Sequence, residues 1–180
     1  RELGIIPDVY LSMGQTAENV ATSRGISRAR QDEWGVASQN RAEAAQKSGF
    51  FRDEITPVTL ADGTVVDTDD CPRAGTTLAA IAGLEPILKK WMGDRATVTA
   101  GNACPLNDGA AAVLVMSDKK AKELGLTPLA RIVSSGVTGI NPEIMGLGPV
   151  AASQQALARA GLTIKDIDLV EINEAFAAQV

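Results

Sequence analysis

Asn173 is placed where it could do chemistry. Residues 167–172 read as a strand, and 173–179 read as a helix that follows directly. In open α/β sheets, ligands bind at the carboxyl ends of strands. An Asn there can donate a hydrogen bond to a developing oxyanion, directly or through a held water. Position alone favours the plainer reading, a helix N-cap, since Asn is among the best capping residues. The thiols are Cys71 and Cys104. Their spacing matches no metal motif, and two free thiols suit a reducing cytoplasm. The chain contains no histidine. A Ser-His or Cys-His nucleophile pair therefore cannot form within these residues, and neither can a His-containing metal site.

The elements that must position these groups fall into two textures. A helix signal begins near Thr16 and stops at Gly25, with Glu18 in its first turn, where a negative charge suits the helix dipole. Ser27 can cap a long second helix that runs to Ser48 and stops at Gly49. Its Trp34, Ala37, Ala44 and Ala45 recur at helical spacing and are expected to face a core. Residues 50–66 are rich in β-branched side chains around Asp62-Gly63, which predicts short strands or a hairpin. Residues 76–91 read as a short helix interrupted near Pro86. Beyond Ala96 the pattern changes. Strands are expected at 110–116, 131–137 and 167–172, and helices at 118–124 and 149–160. This alternation predicts a layered α/β fold. The first half is less regular, like an insertion or lid, and the boundary is placed near residue 105.

Composition narrows the function classes. Of the 180 residues, 45% are apolar and only 3% aromatic, so small aliphatic side chains must fill the core. Net charge is −5, which gives no basic footprint for general nucleic-acid binding. No run approaches the roughly 18 apolar residues of a membrane span. The chain opens on Arg1-Glu2-Leu3-Gly4 without an initiator Met and closes inside an expected helix, so it reads as a piece of something longer.

Asn173-Glu174-Ala175-Phe176-Ala177 resembles the Asn-Glu-Ala-Phe-Ala signature of the thiolase family, and four further blocks match in family order. They are Met13-Gly14 with Thr16-Ala17-Glu18-Asn19-Val20-Ala21; Ala37-Ser38-Gln39-Asn40 with Ala42-Glu43-Ala44; Thr99-Ala100-Gly101-Asn102-Ala103 with Asn107-Asp108-Gly109-Ala110-Ala111; and Met145-Gly146-Leu147-Gly148-Pro149. The resemblance covers nearly the whole chain. It implies a layered α/β/α/β/α fold, present in part, with an α+β loop (lid) domain. Residues 1–105 would form the coenzyme A loop domain, 106–118 the last strand of the N-terminal core, and 119–180 the first half of the C-terminal core.

The same resemblance implies thiolytic cleavage of 3-ketoacyl-CoA, or the reverse Claisen condensation of acyl-CoA with acetyl-CoA. Asn173 would help form an oxyanion hole. The nucleophilic Cys is expected before Arg1, and the activating His and acid/base Cys after Val180, in Gly-His-Pro and Cys-x-Gly-Gly segments. Cys71 lies where the family has no nucleophile. Cys104 falls where many thiolases have a serine lining the pantetheine channel, so it reads as channel-lining or as a plain core residue. Arg73 matches an arginine at the adenine-phosphate end of coenzyme A, a role its planar charged fork suits. Ser12 stands where some thiolases carry a His near coenzyme A. Met13, Ala100, Met145, Ala175 and Phe176 match tunnel-lining residues, or equally simple core.

The implied partners are coenzyme A and acyl-CoA as substrates, with no permanently bound cofactor, no metal, and a homodimer or homotetramer at full length. The Cys104-Pro105-Leu106 stretch resembles actinobacterial thiolases of lipid and steroid breakdown. Ketoacyl synthases, which share the core fold, usually have His where this chain has Asn173. A non-catalytic thiolase-like acyl-CoA carrier is the rival from another class.

Overall fold

The computed structural model describes residues 10–107 and 111–180. They divide into two compact units. The first comprises Arg1–Pro105, Asn141–Gly146 and Ile172–Val180; the second comprises Leu106–Ile140 and Leu147–Glu171.

In the first unit, α1 (Met13–Arg24) starts because the Ser12 hydroxyl accepts from the Gln15 amide at 3.3 Å. It begins one turn earlier than the expected start at Thr16, and Gly25 ends it at φ 66°. The second helix, α2 (Arg28–Ser48), has the caps expected of it, Ser27 and Gly49. Its buried residues differ from expectation. Gln31, Asp32 and Gly35 are buried, whereas Trp34, Ala37 and Ala45 are half-buried and Ala44 is exposed. The cause is the polar segment that α2 packs against: residues 97–102 present hydrogen-bonding groups rather than an apolar face.

The expected hairpin forms between β1 (Val58–Thr59) and β2 (Val65–Val66), antiparallel, with Val58 opposite Val66. The Asp62 carboxylate accepts from the Thr64 amide and holds the turn. The helix expected over 76–91 is two short ones, α3 (Leu78–Ala82) and α4 (Lys89–Met92). Thr77 caps α3, and Pro86, which lacks an amide donor, lies in the break between them. Ala17, Ala21, Val98 and Ala178 form the apolar core of this unit, with Ile26, Ala103 and Phe176 packed on it.

A carboxylate pins the loop before α3 to α2. Glu43 accepts from the Gly75 amide at 2.8 Å. The Lys47 hydrogen bond, then the Gly75 bond, hold its carboxyl below the ordinary value of 4.5. A lowered folded pKa contributes stability that is present above the unfolded value and lost as pH falls through the folded one. The Gly75 amide resonance should therefore titrate with a midpoint below 4.5 when followed by NMR. A midpoint at or above that value would show that the contact does not hold the loop.

The second unit contains α5 (Asp118–Glu123), capped by Ser117, and α6 (Gly148–Ala160), with Pro149 in its first turn. Gly125 and Gly161 take positive φ just past these two helices, as their positions predict. The expected strands are absent among the described residues of 111–116, 131–137 and 167–172; Ala110 lies outside the described residues. Val113, Leu114, Ile132, Val133, Leu169 and Val170 are exposed. These runs have strand composition, but a strand exists only when a neighbour supplies its ladder. Residues 134–138 lie instead along α6: Ser134 Oγ donates to the Ala156 carbonyl at 2.7 Å, and the Val137 amide donates to Gln155 Oε1 at 3.0 Å. The expected helix at 173–179 is also absent: 173–174 have no regular structure, Phe176 forms an isolated bridge with Ala103, and 177–179 form a turn.

Among the described residues, no helix is long and apolar enough to cross a membrane.

Candidate functional site

The site in the first unit is built on a buried polar mount. Glu18 on α1 is 1% exposed. Its carboxylate accepts from the Thr97 amide and hydroxyl, both at 2.7 Å, and from the Val98 amide at 2.8 Å. Asp32 on α2 is equally buried. It accepts from Arg28 Nε at 2.7 Å and from Asn102 Nδ2 at 2.9 Å. Asn102 also donates to the Thr97 carbonyl and accepts from the Thr99 amide. Residues 97–102 are thus clamped between two helices by charge-assisted bonds, which are the stronger kind.

This mount carries the turn that bears Asn173. The Ala177 amide donates to the Asn102 carbonyl at 2.9 Å, and the Cys104 amide donates to the Ala175 carbonyl at 3.0 Å. Ala103 and Phe176 face each other as an antiparallel pair. Cys104, Ala175 and Phe176, three of the residues singled out in the sequence, therefore come together. Asn173 is exposed two residues before Ala175. With no helix among the residues that follow it, the helix-capping alternative has nothing to cap. Beside it, Glu174 accepts a hydrogen bond from the Ser38 hydroxyl of α2.

The other candidates sit on separate anchors. Ser12 caps α1, and the adjoining Met13 is 48% exposed. Met145 lies in the segment that Asn19 holds through the Glu143 carbonyl at 2.9 Å. Next to it, Gly146 lies against Gln179 and Val20. Ala100 is exposed on the 99–102 turn. The Arg73 side chain is exposed, and its amide donates to Gln39 Oε1 at 2.7 Å. Consecutive residues of α2, Ser38 and Gln39, therefore tie down the Asn173 turn and the Arg73 loop. Cys71 and Cys104 are far apart in the chain, and Cys104 is exposed.

The expected first-turn place of Glu18 is corrected: α1 starts at Met13, has no acidic residue in its first turn, and buries Glu18 against residues 97–98. Sequence reasoning missed Asp32 and the burial of Glu18 and Asn102, because hydrophobic periodicity registers only apolar positions. It also passed over Asp69, Asp70 and Cys71, whose potential ligand atoms lie within 4.8 Å of one another on an exposed loop.

Comparison with known proteins agrees with this architecture. The thiolase N-terminal domain model matches residues 5–119, and the thiolase C-terminal domain model matches 126–180. An acetyl-CoA acetyltransferase of Paracoccus denitrificans is 58% identical over 170 residues, covering 93% of this chain and 42% of the relative. The crystal structure of human mitochondrial 3-ketoacyl-CoA thiolase in complex with CoA superposes with a TM-score of 0.86 at 46% identity, covering 95% of this chain and 42% of that one. The dimeric peroxisomal thiolase of Saccharomyces cerevisiae gives a TM-score of 0.87 at 42% identity, covering 95% and 43%. This chain therefore spans less than half the length of the relatives it matches. The fold is a thiolase-like α/β fold, present in part. The chain belongs to the thiolase family.

Proposed function

We propose that this chain supplies coenzyme A binding and the oxyanion-hole Asn173 to a thiolase that cleaves 3-ketoacyl-CoA with CoA, or runs the reverse Claisen condensation. The observation that supports the reading is the backbone join of residues 102–104 to 175–177, which brings Cys104, Ala175 and Phe176 together two residues along the chain from the exposed Asn173. In acyl transfer, negative charge develops on the thioester oxygen, and a fixed amide donor stabilises it without reorganising. Asn173 Nδ2 is that donor. Cys104, Met13, Ala100, Met145, Ala175 and Phe176 line the pantetheine and acyl path, with Ser12 near coenzyme A. Arg73 takes the adenine-phosphate end, where a guanidinium can both pair with phosphate and stack.

Residues 1–105 then act as the coenzyme A loop domain, with 106–118 and 119–180 belonging to the two core halves. The nucleophilic Cys, its activating His and the acid/base Cys are supplied from outside these residues, which hold no histidine. Coenzyme A and acyl-CoA are substrates, and nothing is held permanently. The assembly is a homodimer or homotetramer, a reading supported by the dimeric yeast relative. The Cys104-Pro105-Leu106 stretch supports placing it in the lipid- or steroid-degrading branch of the family.

Titration calorimetry with CoA tests this on the 180-residue chain. Wild type should bind, and Arg73→Ala should bind about tenfold more weakly, the loss expected for one phosphate-pairing guanidinium. A 3-ketoacyl-CoA thiolysis assay on the same chain should give no turnover. Turnover would overturn the assignment of the chemistry to outside groups. Equal affinity in the two proteins would overturn the role of Arg73.

A further inference from the structure

Among the described residues, the backbone ties that fix the Asn173 turn lie on one side of that residue. The Ala175 carbonyl is held by Cys104 and the Ala177 amide by Asn102. Neither restrains rotation about the bonds joining 173 to 175. Next to Asn173 the tie is a side-chain one, Ser38 Oγ to the Glu174 carboxylate. We infer that Ser38 and Glu174 are positioning residues for Asn173, setting its aim at the developing oxyanion from α2. The inference rests on the oxyanion role proposed above.

The helix is suited to this. Asp32, Gly35 and Ser38 recur every three residues and share one stripe of α2. Asp32 holds Asn102 at 2.9 Å. Gly35 lets the Gly101 carbonyl approach so closely that a Cβ would lie 2.3 Å from its oxygen. Ser38 then reaches Glu174. A single row of α2 thus follows the path from the mount to the residue beside Asn173. A donor must sit within a few tenths of an ångström of its target to stabilise an oxyanion, so loosening the last contact degrades the site more than it degrades the fold.

The test has two arms. In the 180-residue chain, Ser38→Ala should lower the NMR backbone order parameters at 173–174 from the rigid range toward about 0.6, with α1 and α2 unchanged, and Ser38→Thr should keep them high. Unchanged order parameters at those residues overturn the inference by themselves. The second arm grafts residues 10–180 onto the matching stretch of the Paracoccus denitrificans enzyme. There Ser38→Ala should lower kcat about tenfold with KM for CoA within about twofold, and Ser38→Thr should restore kcat. A purely structural contact would instead change KM and kcat together or leave both alone. Asn173→Ala separates the two readings. If it lowers kcat while Ser38→Ala does not, the positioning role fails and the oxyanion role stands. If Asn173→Ala keeps full kcat, the oxyanion role fails and takes the positioning role with it.

Discussion

Replacing Gly35 by alanine lowers the stability of the chain by about 2 kcal/mol, an overpacking loss. Ordinarily the sign would be opposite, because glycine inside a helix is worth about 1 kcal/mol less than alanine. Here the new Cβ would stand 2.3 Å from the Gly101 oxygen and 3.4 Å from its carbonyl carbon. Those are backbone atoms, and they cannot swing away as a flexible side chain could. Asn102, which holds the neighbouring peptides through Asp32, Thr97 and Thr99, keeps them in place. Either α2 moves or the mount breaks, and both disturb buried charge-assisted bonds. A thermal melt should show Tm lower by about 4–8 °C for a chain of this size. Gly139→Ala is the control: its Cβ would meet nothing within 4 Å, and its φ is not positive, so its Tm should stay near wild type. A Gly35→Ala melt at or above the wild-type temperature would show that α2 and the 99–102 turn are not locked together.

The sequence signals that proved reliable are those whose physics is local. Ser27 and Gly49 bound α2, Pro149 and Gly161 bound α6, and Asp62-Gly63 turns the hairpin, because each feature is decided by a few adjacent residues. The runs at 110–116, 131–137 and 167–172 read as strands from their composition, yet the described residues of all three are unpaired. Composition states a preference, whereas a ladder needs a partner from elsewhere in the chain. The helix expected at 173–179 was lost for a related reason: pairing with 102–104 bends it into turns. At the site, ordered family blocks named Cys104, Ala175 and Phe176, and the structure gathers them. Ser38 and Glu174 lay inside those same blocks, but their contact spans 136 positions and no local pattern encodes it.

Glu18 is the residue on which the mount depends most. Its carboxylate is the acceptor for the amides of Thr97 and Val98 and for the Thr97 hydroxyl, and Val98 is fully buried. In Glu18→Ala these donors lose their acceptor, and each buried unsatisfied donor costs about 1–3 kcal/mol. Relief of the carboxylate's own desolvation and entry of a water return part of that, so the expected net loss is about 3–4 kcal/mol. Glu18→Gln should behave differently. Its Oε1 still accepts from the two amides, and its Nε2 can donate to Thr97 Oγ1, which already accepts from Gln31 at 3.0 Å. The casualty is then one bond, the Thr97 hydroxyl donating to Glu18, and the loss should be about 1 kcal/mol. Urea unfolding should therefore rank wild type above Gln and Gln above Ala. In Glu18→Ala, hydrogen exchange should rise at Thr97 and Val98, and also at Ala177, whose acceptor, the Asn102 carbonyl, moves with the mount. If the Gln variant loses as much as the Ala variant, negative charge and not acceptor geometry is what holds residues 97–102. If exchange at Ala177 stays slow while Thr97 and Val98 open, the Asn173 turn is held independently of α1, and the stripe on α2 alone sets its position.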